Sequence, residues 1–286
     1  MNPVKVLHIS DLHIESKPAK LYPIVPQSLD GISAQIRASK PDMVIVTGDL
    51  TCHGSCDREE LEMAKAWLDG LGLPYMAIAG NHDLGPNSRR AKQHPGSECY
   101  DPHPFDTTHF ARVFGTGVVE SLDIGPCQII GLNIRNGDPD NALALLENQL
   151  SAAKKPVIVF GHYPVVPVRD HGVLATFGFS DYIPDSVSQL RQLLTSHLQV
   201  KIYACGHVHV NSATPITRHC LQMSAGALGP GSSTYRSLVI DADGISYQTL
   251  FGGGPLGFWE HVAPGFDEPP EYQLGSIDER MGSISF

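Results

Sequence analysis

The sequence predicts an α/β protein in which two packed sheets carry helices on their outer faces. Three observations lead there. Short apolar runs alternate with segments of helical period, the pattern of strand–helix–strand units. Five of these runs stop at a polar cluster, four of them at Gly followed by Asp, Asn or His, as in sheets that gather ligands at strand C-terminal ends. After residue 220 the helical period ceases and strand-like runs follow with short turns, which is the mark of antiparallel pairing.

Val4 to Ser10 is a mostly apolar strand ending in Asp11-Leu12-His13. Leu29, Ile32 and Ile36 fall at helical spacing, with Pro41 closing that helix. Met43 to Thr47 is a second strand, ending in Gly48-Asp49. Asp57 and Glu60 are a capping arrangement for a helix with Leu61, Ala64 and Leu68 on one face and Gly70 as its stop. Tyr75 to Ala79 is a third strand, and it delivers Gly80-Asn81-His82-Asp83. Residues 84–108 have no period and form a long loop, followed by a short helix over Phe110 to Phe114. Cys127 to Asn133 is a strand, Leu143, Leu146 and Leu150 mark a helix, and Val157 to Phe160 is a strand ending in Gly161-His162. A second long loop spans 163–184. The helix through Val187, Leu190 and Leu194 is capped by Asp185 or Ser186. Val200 to Cys205 then leads to Gly206-His207-Val208-His209. Leu221 to Ser224, Arg236 to Asp241 and Ile245 to Leu250 complete the strands and are expected to be antiparallel. A catalytic unit over residues 1–251 and a Gly/Pro-rich tail over 252–286 is the expected division. The tail is expected to pack on the body or on a neighbouring subunit, because Phe258-Trp259 is costly to expose.

Composition bounds the function. A formal net charge of −10 argues against unaided binding to nucleic acid polymers or membrane surfaces. No apolar run approaches the roughly 20 residues of a membrane span. The N-terminus shows no charged-then-apolar leader pattern, and the six cysteines are scattered, so a reduced, cytoplasmic protein is expected. Cys52 and Cys56 flank His53, but no second pair follows at zinc-site spacing, and both are expected to be loop thiols.

The strand ends carry the chemistry. Asp11, His13, Asp49, Asn81, His82, His162, His207 and His209 offer nitrogen and oxygen ligands and no thiolate, a set suited to manganese, iron or zinc. They are too many for one ion and enough for two. Two cations about 3.5–4 Å apart can clamp a phosphoryl group and activate a water. Asp49 is a candidate bridge, and His82 a candidate proton donor beside a ligand. Taken singly, a Gly-Asp or Gly-His strand end is an ordinary turn; the full set is not.

Asp11-Leu12-His13, Gly48-Asp49, Gly80-Asn81-His82-Asp83, Gly161-His162 and Gly206-His207-Val208-His209 resemble, in order and interval, the five motifs of the calcineurin-like metallophosphoesterases. The resemblance implies a four-layer α/β/β/α sandwich with two divalent or trivalent ions between the sheets. It implies Asp11, His13 and His209 on one metal, Asn81, His162 and His207 on the other, and Asp49 on both. His82 would contact the phosphate and protonate the leaving group, with Asn81 and Tyr163 also at the substrate. Within the family the motifs are similar to the class III cyclic-nucleotide phosphodiesterase and glycerophosphodiesterase branch. That implies hydrolysis of a small phosphodiester by metal-bound hydroxide. Two positions depart from the branch: Tyr163 stands where a second His is common, and Cys52 where an acidic residue is common. Both bear on the substrate rather than on the metals. The competing readings are a phosphomonoesterase or nucleotide pyrophosphatase on the same fold, and a metal-bound scaffold without catalysis. A small phosphate ester is the expected partner, and a homo-oligomer is compatible with the sequence. Arg89, Arg90, Lys92 and His94 are expected to be a solvated basic patch. Arg169 is a candidate for shaping the pocket; His53 and His171 are candidates for its mouth, with plain loop residues the more common case.

Overall fold

The computed structural model describes residues 2–16, 25–85, 104–169, 182–230, 233–253 and 270–286. Twelve strands form two six-stranded mixed sheets. In the first, the order runs β12 (Met281–Ser285), β11 (Gly244–Phe251), β10 (Thr234–Ile240), β1 (Val4–Ile9), β2 (Met43–Thr47), β3 (Tyr75–Ile78). In the second it runs β4 (Val119–Asp123), β5 (Gln128–Leu132), β6 (Val157–Phe160), β7 (Val200–Cys205), β9 (Leu221–Ser224), β8 (Ser212–Pro215).

Side-chain alternation explains the layers. Within β1, Val6 faces the second sheet while Leu7 and Ile9 face outward; within β2, Ile45 faces in while Val44 and Val46 face out. The inward set meets Ile129, Ile158 and Ile202 of the second sheet. The outward set of the first sheet is covered by α1 (Val25–Ala38) and α2 (Arg58–Gly70), through Leu29, Ile32, Ile36, Leu61, Ala64 and Leu68. Two short helices, α3 (Asn81–Leu84) and α4 (His109–Phe114), lie on the same side of the chain order, and Phe110 joins that core. The outer face of the second sheet is covered by α5 (Ala142–Ala152) and α6 (Val187–Ser196), through Leu143, Leu146, Leu150, Leu190 and Leu194. Strands buried on both faces must be apolar throughout, which is why β1, β2, β6 and β7 carry near-continuous runs. The four-layer α/β/β/α sandwich is therefore the observed architecture.

Several local expectations are corrected. β9 is parallel to β7, although its β8 pairing and the β10–β11 pairing are antiparallel. Local sequence carries strand propensity but not strand direction. Glu60 does not complete a capping box with Asp57. Asp57 accepts from the Glu59 amide, while the buried Glu60 accepts from the amides of Ser16 and His53. Ser186 precedes α6 without a capping bond from its side chain, and Asp185 instead pairs with Asn136. Arg169 turns away from the site: it donates to the carbonyls of Tyr272 and Asn211 and pairs with Glu279 in the C-terminal segment. There β12 adds to the edge of the first sheet, after the short helices α7 (Pro270–Leu274) and α8 (Ile277–Arg280). Cys52 is a free, buried thiol, as are Cys127, Cys205 and Cys220, but Cys56 is disulfide-bonded. A single cross-link leaves no spacing signature in the sequence. Among the described residues no helix is long and apolar enough to cross a membrane. Arg89, Arg90, Lys92, His94, His171, Phe258 and Trp259 fall outside the described residues.

His8 lies in the middle of β1, fully buried, with Nε2 2.9 Å from the Thr47 hydroxyl and Nδ1 without a partner. Burial, followed by the positive charge of Arg236, lowers its pKa to about 3. The folded state holds it neutral while the unfolded chain protonates it near 6.5. Its contribution to stability is complete above pH 6.5 and is lost as pH falls toward 3. In urea titrations of wild type and His8→Leu, the wild type should lose about 2 kcal/mol more than the variant between pH 6.5 and 5. Equal losses would show that His8 is not the buried neutral group.

Candidate metal centre

The ligand residues sit where strands stop and the backbone turns sharply. Asp11 (φ 54°), His13 (φ 50°), Asp49 (φ 49°), His207 (φ 72°) and His209 (φ 54°) all adopt the left-handed region. Asp and His tolerate it better than most residues, yet it is uncommon and mildly strained. The reversal is what turns each side chain back toward one point instead of letting it continue along its strand. Close approach then depends on missing side chains. Gly48 has φ +90°, and a Cβ there would lie 2.7 Å from both the Gly80 amide nitrogen and His162 Nδ1. A Cβ on Gly206 would collide with Ser10 Oγ and lie 2.6 Å from Asp11 Oδ2.

Two ligand groups result. Asp11, His13 and His209 form one, and Asp49, His162 and His207 the other; within each, the ligand atoms lie within 4.8 Å of one another. In the first, His209 Nε2 is 3.2 Å from Asp11 Oδ1 and 3.0 Å from His13 Nε2. In the second, His162 Nε2 is 3.2 Å from Asp49 Oδ2 and 3.2 Å from Asn81 Oδ1. Asp49 stands between them, since the same Oδ2 is 4.0 Å from His13 Nε2. Its Oδ1 accepts from the His82 amide at 2.9 Å. Carboxylates and imidazoles converging in two mostly buried trios are a donor set that fits two metal ions.

The supporting bonds fix which atoms face the centre. His162 Nδ1 is 2.7 Å from the Thr47 carbonyl, which can only accept, so Nδ1 carries the proton and Nε2 is left for a metal. His82 Nδ1 is likewise 2.8 Å from the Cys52 carbonyl. Asp83 was quoted in the motif but given no role; its carboxylate accepts from the Leu50, Thr51 and Gly80 amides and the Thr51 hydroxyl, which pins the turn carrying Asp49 to the turn carrying Asn81. Asn133 adds a second pin, accepting from the Ala79 amide at 2.7 Å. Sequence reasoning missed Tyr182, whose ring is 4.6 Å from that of His207 and stacks on Tyr163 at 6.0 Å. Tyr163 itself is buried, edge-on to His162 and His207. His53 is not at the centre; it pairs with Glu60.

Electrostatics follow from crowding. Burial, then the charge of the other histidines, holds His13 and His207 well below the usual imidazole range. Burial acts the same way on His162, but the Asp49 carboxylate outweighs it and raises the pKa to about 9. Burial works against Asp49 ionising, yet His162 and His82 hold it well below the usual carboxylate range. Burial, and then Asp49, push Asp83 up to about 6.

A family description for calcineurin-like phosphoesterases matches residues 4–211, most of the chain and all of the ligands. The chain belongs to this family. Among calcineurin-like relatives, it is 31% identical over 221 residues to a protein of Arcobacter nitrofigilis named probable glycerophosphodiester phosphodiesterase GpdQ, covering 73% of each chain. Over 199 residues it is 43% identical to the tartrate-resistant acid phosphatase type 5 of Sus scrofa, covering 62% of this chain and 56% of that one. Its fold matches a dimetal phosphatase from Danio rerio with a TM-score of 0.63 at 13% identity, covering 87% of this chain and 96% of that one. Other low-identity relatives are named as probable cyclic-nucleotide phosphodiesterases. A calcineurin-like fold with two converging ligand groups makes the protein a metal-dependent phosphoesterase.

If Asp49 serves both ligand groups, its loss must disturb more than one of them. Asp49→Ala purified from manganese-supplemented culture should hold at most one metal per chain by mass spectrometric metal analysis, against two for the wild type. Two metals in the variant would refute the bridge.

Proposed function

We propose that the chain hydrolyses a small phosphodiester, of the glycerophosphodiester or cyclic-nucleotide type, at a dinuclear centre. The observation that carries this reading is the placement of Asp49 between two buried ligand trios, with the His82 backbone bonded to its second oxygen. Asp11, His13 and His209 are assigned to one metal, Asn81, His162 and His207 to the other, and Asp49 to both. Manganese, iron or zinc, divalent or trivalent, suits these ligands. A bound pair supplies Lewis-acid charge to the phosphoryl oxygens and lowers the pKa of water.

The remaining work falls to the chain. Asn81, held in the second group through His162, and His82 contact the phosphate. His82 protonates the leaving alkoxide: with Nδ1 donating to the Cys52 carbonyl, Nε2 is the atom that offers the proton. Tyr163 forms a substrate wall against His162 and His207. Residues 1–251 are taken as the catalytic unit, with 252–286 as a tail packed on it. A cytoplasmic setting is part of the same reading; the Cys56 disulfide is the one feature that favours an oxidising compartment instead. The second reading is a phosphomonoesterase, favoured by the likeness to an acid phosphatase. The completeness of the ligand set speaks against a non-catalytic scaffold.

Initial rates on bis(p-nitrophenyl) phosphate and p-nitrophenyl phosphate separate the readings. The manganese-loaded protein should favour the diester, and chelation should abolish both rates. A monoester preference would overturn the diesterase reading, and chelation-resistant turnover would overturn the metal dependence. His82→Ala should retain both metals and slow esters of poorly acidic alcohols by about 10²–10⁴, with a much smaller effect on p-nitrophenyl esters. A uniform slowing would remove His82 from the acid role.

A further inference from the structure

A recess of about 420 Å³ opens beside the metal centre, with His13 at one end. It lies between the chain leaving β1, the start of α1 and the middle of α2. Val25, Leu29 and Met63 give it apolar walls, and Trp67 gives it an aromatic one. Among the described residues lining it, Glu15 and Asp30 are charged and none is Lys or Arg. This size and composition, mostly apolar with a few polar groups, is that of a small-molecule site.

Two atoms here are buried without a hydrogen-bond partner: Glu15 Oε2 and Trp67 Nε1. An orphaned buried carboxylate oxygen is costly, and Glu15 is not held there by slackness. Its neighbours are anchored on both sides. Ile14 exchanges backbone bonds with Leu50 and Cys52, and Ser16 donates to Glu60 through its amide and to Asp57 through its hydroxyl. The chain thus lines one recess with an acidic group, an aromatic ring and a metal-ligand residue, His13.

We infer that this recess is the subsite for the alcohol portion of the substrate and that it selects an alcohol bearing an alkylammonium group. The inference rests on the phosphodiesterase reading above. A cationic head group satisfies the Glu15 carboxylate, lies against the Trp67 ring as a cation–π partner, and presents its methyl or methylene surface to Val25, Leu29 and Met63. A neutral alcohol leaves the carboxylate unanswered, and an anionic one is repelled by both acids. The discrimination is then of the kind in which a buried polar group is left unpaired by the wrong ligand.

The test uses the full-length, manganese-loaded protein and two diesters: choline p-nitrophenyl phosphate and its uncharged isostere, 3,3-dimethylbutyl p-nitrophenyl phosphate. The wild type should favour the choline ester at least about tenfold in kcat/KM, and Glu15→Gln should bring the ratio near one, with Trp67→Leu lowering it as well. A wild-type ratio near one, or a ratio unmoved by Glu15→Gln, overturns the subsite while leaving diester hydrolysis intact. If neither diester is hydrolysed, the phosphodiesterase reading fails, and choline binding tests the recess separately. Choline should quench the fluorescence of Trp67, a signal absent in Trp67→Phe, and Glu15→Gln should weaken the response. No saturable quenching in the wild type, or quenching unchanged in Glu15→Gln, overturns the recess as a cation site.

Discussion

Five imidazoles and two carboxylates crowd into one nearly dry space at the ends of two sheets, and the rest of the structure answers that crowding. Burial of most of these groups leaves little solvent to screen them from one another. The opposed shifts of His13 and His207 downward and His162 upward are the direct consequence. Carbonyls of Thr47 and Cys52 lock two rings, and Asp83 locks two turns. These bonds hold side chains in place that would relax apart if each were free to find solvent. Metal ions in the two ligand groups would supply positive charge to the carboxylates and occupy the free imidazole nitrogens, which would offset the cost of the crowding.

Position and substrate choice are separated in this chain. The ligands come from turns set by β1, β2, β3, β6 and β7, which are central strands with apolar residues on both faces. The neighbouring recess is built from the first turns of α1, one face of α2 and a short stretch after β1. Helical faces can change side chains without moving the strand ends. Substitutions at Trp67 or Glu15 would therefore reshape the recess without moving Asp11 or His13.

Much of this was legible before the structure. All five ligand-bearing strand ends follow strong apolar runs, four of them through a glycine, and their chemistry is unusual enough that five occurrences outweigh coincidence. The less visible parts share a physical reason. β4 has an exposed half, β8 is Ser-Ala-Thr-Pro, and β12 is Met-Gly-Ser-Ile-Ser; edge strands need no continuous apolar run, so they leave a weak pattern. The direction of β9 depends on a partner that is remote in sequence. Asp83 sits in plain view within a motif, but three of its four amide and hydroxyl partners come from the turn after β2. Tyr182 and the orphaned oxygen of Glu15 become notable only through neighbours that local sequence does not name.

β1 lies between β2 and β10, pairing Val4 with Ile240 and Val6 with Met43. β1 is thus an interior strand whose second neighbour emerges more than two hundred residues later. Until then one row of its amides and carbonyls is an open edge, and Asp11 waits beside a place that His209 has not reached. Closing that gap is a high-order, long-range event, the kind that slows folding and leaves a nascent chain exposed to pairing with others. The ligand group of Asp11 and the β1–β10 seam therefore both wait on chain that lies roughly two hundred residues beyond β1.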